Sequence, residues 1–165
     1  MEDTPRVAEI HVFGWRSAYR GIIPDEFLFN KMIVADRVST WQKRVSGNEI
    51  KDWETHVYDD GIIKGMLIMG PSRDDDKKSS FELGGIYVEP LMKRQGVGKS
   101  LVQFCENRAK ELGFGEIILW VFEANTQTRK FYEAMGYMPD GAVKKHEWHK
   151  DATVVRYAKT IDNKC

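Results

Sequence analysis

The spacing of apolar residues changes twice along the chain, marking off a helical start, a hairpin and an alternating strand–helix second half. From Pro5 to Tyr19, Val7, Ile10, His11, Gly14 or Trp15, and Ala18 recur three and four apart. That spacing predicts an amphipathic helix, with Thr4-Pro5 as cap and first helical residue. It ends near Gly21, and Pro24, Asp25 and Glu26 open a short second helix through Leu28. A third runs from Asp36 to Val45, with Val38, Trp41 and Val45 on one side.

From Trp53 the period shortens. His56 to Tyr58, the Asp59-Asp60-Gly61 turn, and Ile62 to Met69 predict a hairpin. Ser72 to Ser80 (SRDDDKKSS) is charged and is read as a solvated loop. A metal site there is set aside, because adjacent aspartates point apart and lysines follow at once. Phe81 to Val88 reads as a strand that Pro90 stops, having no N–H for a ladder.

Gly96 to Leu112 is the strongest helix, with Val97, Leu101, Phe104 or Cys105, Arg108 or Ala109, and Leu112 along its buried stripe. Gly113 closes it, and Cys105 reads as core filler. Glu116 to Phe122 (EIILWVF) is a continuous apolar strand of the kind covered on both faces. Asn125 to Met135 predicts a short helix stopped by Gly136, and Tyr137–Trp148 and Ala152–Thr160 two final strands. This order implies an α/β (α+β) fold: one mixed, mostly antiparallel sheet flanked by helices, with one parallel crossover. No repeat or long linker divides residues 1–165, which are read as a single domain.

Composition narrows the options. Lys and Arg total 25 and Asp and Glu total 25, so the formal net charge is zero. A general nucleic-acid binder would draw its affinity from phosphate neutralisation, so nucleic acid is not an expected partner. The two cysteines, Cys105 and Cys165, do not suggest a disulfide framework. No apolar run approaches the roughly 20 residues that span a bilayer, and MEDTPR has no signal-peptide core. A cytoplasmic protein without membrane contact is expected.

The stretch Phe81–Leu101 (FELGGIYVEPLMKRQGVGKSL) carries the chemistry. Gly96 and Gly98 leave backbone amides uncovered as a helix begins, which makes an anion site suited to a pyrophosphate. A triphosphate P-loop would need glycine at position 93, where lysine stands. A dinucleotide fingerprint would need a third glycine at Leu101. Both fail.

What fits is Tyr87-Val88-Glu89-Pro90 followed by Lys93-Arg94-Gln95-Gly96-Val97-Gly98, and then Asn125, Phe131-Tyr132 and Gly136-Tyr137. In these motifs and in the order of elements the chain resembles the GNAT N-acetyltransferase superfamily from the first helix onward. Lys93 departs from the more usual Arg or Gln, keeping the charge but losing the bidentate fork. The family also begins with a short strand before the first helix, for which MEDTPR is too short and polar. That first edge strand is expected to be short or missing, and a homodimer partner is one way to cover the edge left open.

The resemblance implies acetyl-CoA as co-substrate, no metal, and acetyl transfer by direct attack of an amine of a small molecule or a peptide N-terminus. It implies that amides and side chains of Lys93, Arg94, Gln95, Gly96, Val97, Gly98 and Lys99 hold the pyrophosphate. Ile86, Tyr87 and Val88 would hold the pantetheine arm, with an amide near Val88 polarising the thioester, and Asn125 would bond the arm or the strand gap. Tyr132 would protonate the leaving thiolate, with Phe131 filling the core beside it.

An alkylamine with a pKa of ~10.4 must lose a proton at a cost on the order of 4 kcal/mol at neutral pH, and a carboxylate would help. Glu82 is the first candidate base and Glu123 the second, each weighed against a solvent-facing or ion-paired strand residue; His56 is an outsider. His146-Glu147-x-His149 is not read as a zinc site, because a strand would send the two histidines to opposite faces. It is expected to rim the acceptor side, with Trp15 to Phe27 opposite. The alternative from another class is a non-catalytic acetyl-CoA sensor, which would need no proton donor.

Overall fold

The computed structural model describes residues 2–47, 52–147 and 149–161. Its elements, in chain order, are helices α1 (Thr4–Tyr19), α2 (Asp25–Asn30) and α3 (Val34–Val45), then strands β1 (Glu54–Asp59), β2 (Ile63–Pro71) and β3 (Phe81–Val88). Helix α4 (Val97–Glu111), β4 (Glu116–Phe122), α5 (Thr126–Ala134), β5 (Met138–Lys145) and β6 (Thr153–Thr160) complete it. The strand order is β1-β2-β3-β4-β6-β5. Beta3 and β4 run parallel across the α4 connection, while β6 is antiparallel to both β4 and β5. This is the mixed, mostly antiparallel architecture expected, and no strand precedes α1 among the described residues.

Two compact units are built from these elements. The first comprises the chain up to Ile68 together with Ile86–Leu101, and the second Met69–Gly85 with the chain from Val102 onward.

In the first unit, Val7, Ala8 and Ile10 of α1, Trp41 of α3, and Ile63, Met66 and Ile68 of β2 form one apolar cluster. Val38 packs against it but Val45 is exposed, so the buried side of α3 is narrower than its spacing predicts. Asp3 holds the cap position of α1 without a side-chain bond, which moves Pro5 one place further inside than expected. Arg16 finishes α2 by donating to the carbonyls of Leu28 and Met32, both at 2.9 Å. Leu28 is in the last turn of α2, whose carbonyls a helix end leaves without intrahelical partners, and Met32 lies just beyond it.

In the second unit, Val102, Cys105 and Ala109 of α4 are buried, with Ile117, Leu119 and Val121 on β4 and Tyr157 on β6. Phe104 and Leu112, counted on the stripe by spacing, are exposed. The SRDDDKKSS segment departs most from expectation. A 3₁₀ turn spans Asp75–Lys77, and Asp74 and Asp76 both accept hydrogen bonds from the buried Arg156 of β6. Arg156 also donates to Asp140 of β5 at 2.7 Å. Asp75 is fully exposed beside Lys78, and Ser79 is exposed as well, so part of the run is solvated as expected. The charge run was read as free because its partner lies on the far side of the sequence.

Candidate active site

In the first unit the expected phosphate loop follows β3 directly. The Glu89 carboxylate accepts from Arg6 of α1 at 2.8 Å, and its backbone N–H donates to the Lys64 carbonyl at 2.8 Å. These contacts pin the strand end before Pro90 opens a 3₁₀ turn. Arg94 and Gly96 then take positive φ angles of 64° and 83°, which turn the chain into α4. The arginine is a costly occupant of that region. The first amides of α4 have no partner within the helix, apart from Ser100 donating to Gly96.

Gly65 of β2 sets how low this helix start sits. A Cβ there would lie 2.8 Å from Val97, 3.1 Å from Leu101 and 3.2 Å from the Tyr87 carbonyl oxygen. The Val97 and Leu101 side chains of α4 therefore rest on β2 at Gly65, beside the Tyr87 carbonyl of β3. Lys93 Nζ donates to Ser17 Oγ of α1 at 2.8 Å, so that lysine also ties the loop to the first helix.

Ile86, Tyr87 and Val88 end β3 as expected. The Tyr87 ring turns toward α1, where Gly14 is tight enough that a Cβ would meet the Tyr87 side chain at 3.2 Å. His11 lies against the same ring, 4.9 Å between centroids, with Trp41 and Trp15 edge-on to it at 5.4 and 5.9 Å. Burial in this aromatic nest, with Arg37 and Arg44 nearby, pushes the His11 imidazole down to about 3, and Nδ1 has no hydrogen-bond partner among the described residues. The sequence placed His11 on the apolar stripe of its helix; nothing in it marked the residue as a buried neutral imidazole.

In the second unit, Glu82 of β3 is 3 % exposed, and both its oxygens accept from Arg73. The backbone N–H of Arg73 adds a third bond at 3.1 Å. Burial works to lower the Arg73 pKa, and the bond to Glu82 outweighs it, holding the guanidinium above its ordinary value. Glu82 thus lies in a closed ion pair. Arg73, nine residues upstream across the β2–β3 connection, carried no signal in the sequence.

Glu123 is exposed at the end of β4, its backbone N–H bonded to Thr153 and its carbonyl to Arg129. Asn125 is buried and caps α5, accepting from Thr128 N at 3.2 Å. Tyr132, on α5, is 6 % exposed, with its ring 5.3 Å from Phe131 and 5.8 Å from Tyr137. The expected division of labour on α5 is reversed: Tyr132 is the more buried ring and Phe131 is half-buried. His56, on β1, pairs with Glu54 at 2.8 Å in the first unit.

His146 and His149 also differ from expectation. Beta5 ends at Lys145, so the two residues sit in a turn closed by His146 N to Ala152 O and Ala152 N to His149 O. Strand alternation therefore does not apply, and the rings stack at 5.5 Å with an interplanar angle of 23°. The His146 ring also meets Phe122, the last residue of β4, at 4.8 Å between centroids. Trp148 between them lies outside the described residues. Among those described, no group of three or more His, Cys, Asp or Glu side chains could hold a metal ion.

Residues 28–137 match the model of the acetyltransferase (GNAT) family. The chain is 29% identical over 140 residues to an uncharacterized N-acetyltransferase of Bacillus subtilis, covering 85% of this chain and 76% of that protein. Its fold is similar to the paia N-acetyltransferase of Thermoplasma acidophilum solved with coenzyme A, with a TM-score of 0.68 and 18% identity over 94% of this chain and 92% of that one. It is also similar to yncA of Salmonella typhimurium, solved with its cofactor acetyl-CoA, with a TM-score of 0.67 and 15% identity over 99% and 91% of the two chains. Family match, relative and fold agree with the motifs around Gly96 and Tyr132: the chain belongs to the GNAT family of acetyltransferases.

Proposed function

We propose that the protein transfers the acetyl group of acetyl-CoA to an amine, of a small molecule or a peptide N-terminus, by direct attack on the thioester. The observation that carries this reading is the start of α4. Its first amides, which a helix start leaves without intrahelical partners, follow the Arg94 and Gly96 turns and are seated by Gly65 beside the Tyr87 carbonyl. Such a helix start favours a pyrophosphate. Two structural neighbours solved with coenzyme A and acetyl-CoA support the choice of ligand. Lys93 to Lys99 would hold the pyrophosphate, and the backbone of Ile86, Tyr87 and Val88 the pantetheine arm. An amide near Val88 would polarise the thioester carbonyl.

Tyr132 would return a proton to the departing thiolate. Asn125, as the cap of α5, would hold in place the helix that carries Tyr132. Glu82 is read as a positioning residue, because its oxygens are committed to Arg73. Glu123, exposed at the end of β4, would draw a cationic acceptor. The buried Cys105, in no disulfide, would fit a reducing compartment such as the cytosol.

The test is thiol release from acetyl-CoA against a panel of alkylamines, amino acids and peptides, with products identified by mass. Transfer to at least one amine supports the proposal. Tight CoA binding with no release on any acceptor would favour the sensor instead.

A further inference from the structure

The turn between β5 and β6 brings an imidazole to the end of β4, beside the residues that the proposed transfer uses. His146 packs on Phe122, and Phe122 is followed by Glu123 and then by Asn125, the cap of the helix carrying Tyr132. Two hydrogen bonds hold the position: Glu123 N to Thr153 O, and His146 N to Ala152 O, both 2.9 Å. His149 stacks on the same imidazole, 5.5 Å between ring centroids. From this geometry we propose that His146 takes the proton the acceptor ammonium must lose before attack, with His149 as its positioning residue.

The proposal rests on the acetyl-transfer reading and supplies the proton acceptor that reading lacks. Both oxygens of Glu82 are already occupied by Arg73, so that carboxylate presents no open oxygen to an ammonium group. A half-buried neutral imidazole is well suited to receive the proton. Burial, and then the neighbouring His149, push His146 below the ordinary histidine value, so it is unprotonated near neutral pH. Glu147 acts in the opposite sense, Lys144 in the same one, and Glu123 stands next to Phe122. His149 is lowered by its own burial, so the stacked pair rests uncharged.

The step balances. The ammonium nitrogen gives one proton to a ring nitrogen of His146, which becomes imidazolium and later releases it to solvent. The neutral amine forms a bond to the thioester carbonyl carbon, and the carbon–sulfur bond breaks. The thiolate takes the Tyr132 proton, and the second amine proton restores Tyr132. The products are the amide, the free thiol and one proton.

The experiment compares the full-length wild type with His146→Gln, His149→Gln and Glu123→Gln. For each, kcat/KM is measured across pH with an alkylamine acceptor and with a weakly basic one such as a hydrazide. His146→Gln should lose about 10²-fold with the alkylamine. It should also lose the acid limb of the profile, and lose much less with the weakly basic acceptor, which arrives unprotonated. His149→Gln should move the limb, whereas Glu123→Gln should raise KM and leave the limb in place.

An intact acid limb in His146→Gln, or equal losses on both acceptors, overturns the proposal while leaving acetyl transfer standing. A wild type that acetylates no amine removes both readings together. If His146→Gln fails to fold, NMR titration of the four histidines in the wild type decides the matter. The His146 titration must coincide with the kinetic limb, and a mismatch overturns the assignment.

Discussion

Replacing His11 with phenylalanine should flatten the acid side of the stability profile. In the fold its imidazole is held at about 3, whereas the ordinary value is 6.5. A histidine depressed in this way is tolerated only when neutral, so below the ordinary value the unfolded chain binds a proton that the folded one refuses. Its contribution is complete above about pH 6.5 and is lost as pH falls toward 3. At about pH 5 the linkage gives a ceiling of about 2 kcal/mol, and partial exposure of the ring brings the expected loss to roughly 1–2 kcal/mol.

The window between about pH 7 and about pH 5 is chosen because Asp74 and Asp76, both lowered by Arg156, titrate below it in either state. His146 and His149 contribute equally to wild type and variant, so the difference isolates His11. Phenylalanine keeps a ring edge for Trp15 and Trp41 while removing the titration. The assay is urea denaturation of the ligand-free protein at each pH. The wild type should lose about 1–2 kcal/mol more than His11→Phe over that interval. Equal losses would refute the account of a buried neutral imidazole.

The helix seat and the proton donor can be tested separately. Gly65→Ala drives a Cβ against Val97, Leu101 and the Tyr87 carbonyl, and that backbone cannot rotate away. We expect a destabilisation of about 1–3 kcal/mol by denaturant melt, together with weaker CoA binding by calorimetry; normal values in both would show that the close contact is easily relieved. Tyr132→Phe should lower turnover by about 10²-fold in the thiol-release assay while leaving CoA affinity alone. Unchanged turnover would remove the acid role from Tyr132.

Elements whose signals are local were legible in the sequence. The EIILWVF run gave β4 its observed bounds, because an unbroken apolar stretch between Gly115 and Glu123 has few other solutions. The hairpin was legible through its Asp59-Asp60-Gly61 turn, where Asp59 accepts from the Gly61 N–H at 2.9 Å. The start of α3 was placed two residues late, since Ile33 holds the cap position with no side-chain bond to announce it.

What the sequence hid was pairing at a distance. Glu82 looked like an available base because Arg73 sits across the β2–β3 connection. His146 and His149 looked divergent because strand alternation was carried past Lys145, where the strand has ended. Tyr132 and Phe131 were assigned their depths by motif, and packing against Tyr137 reversed them.

Arg156 bears on the order in which the chain can become ordered during synthesis. Its aspartate partners lie 82, 80 and 16 residues upstream, so each clamped segment leaves the ribosome before the clamp does. Until then three successive aspartates repel one another, offset by Arg73, by the lysines that follow, and at Asp74 by Trp120 and Lys144. The β2–β3 connection therefore takes its final form only when β6 docks, and a nascent chain halted short of that strand would hold Asp74 through Trp120 and Lys144 but leave Asp76 without its guanidinium.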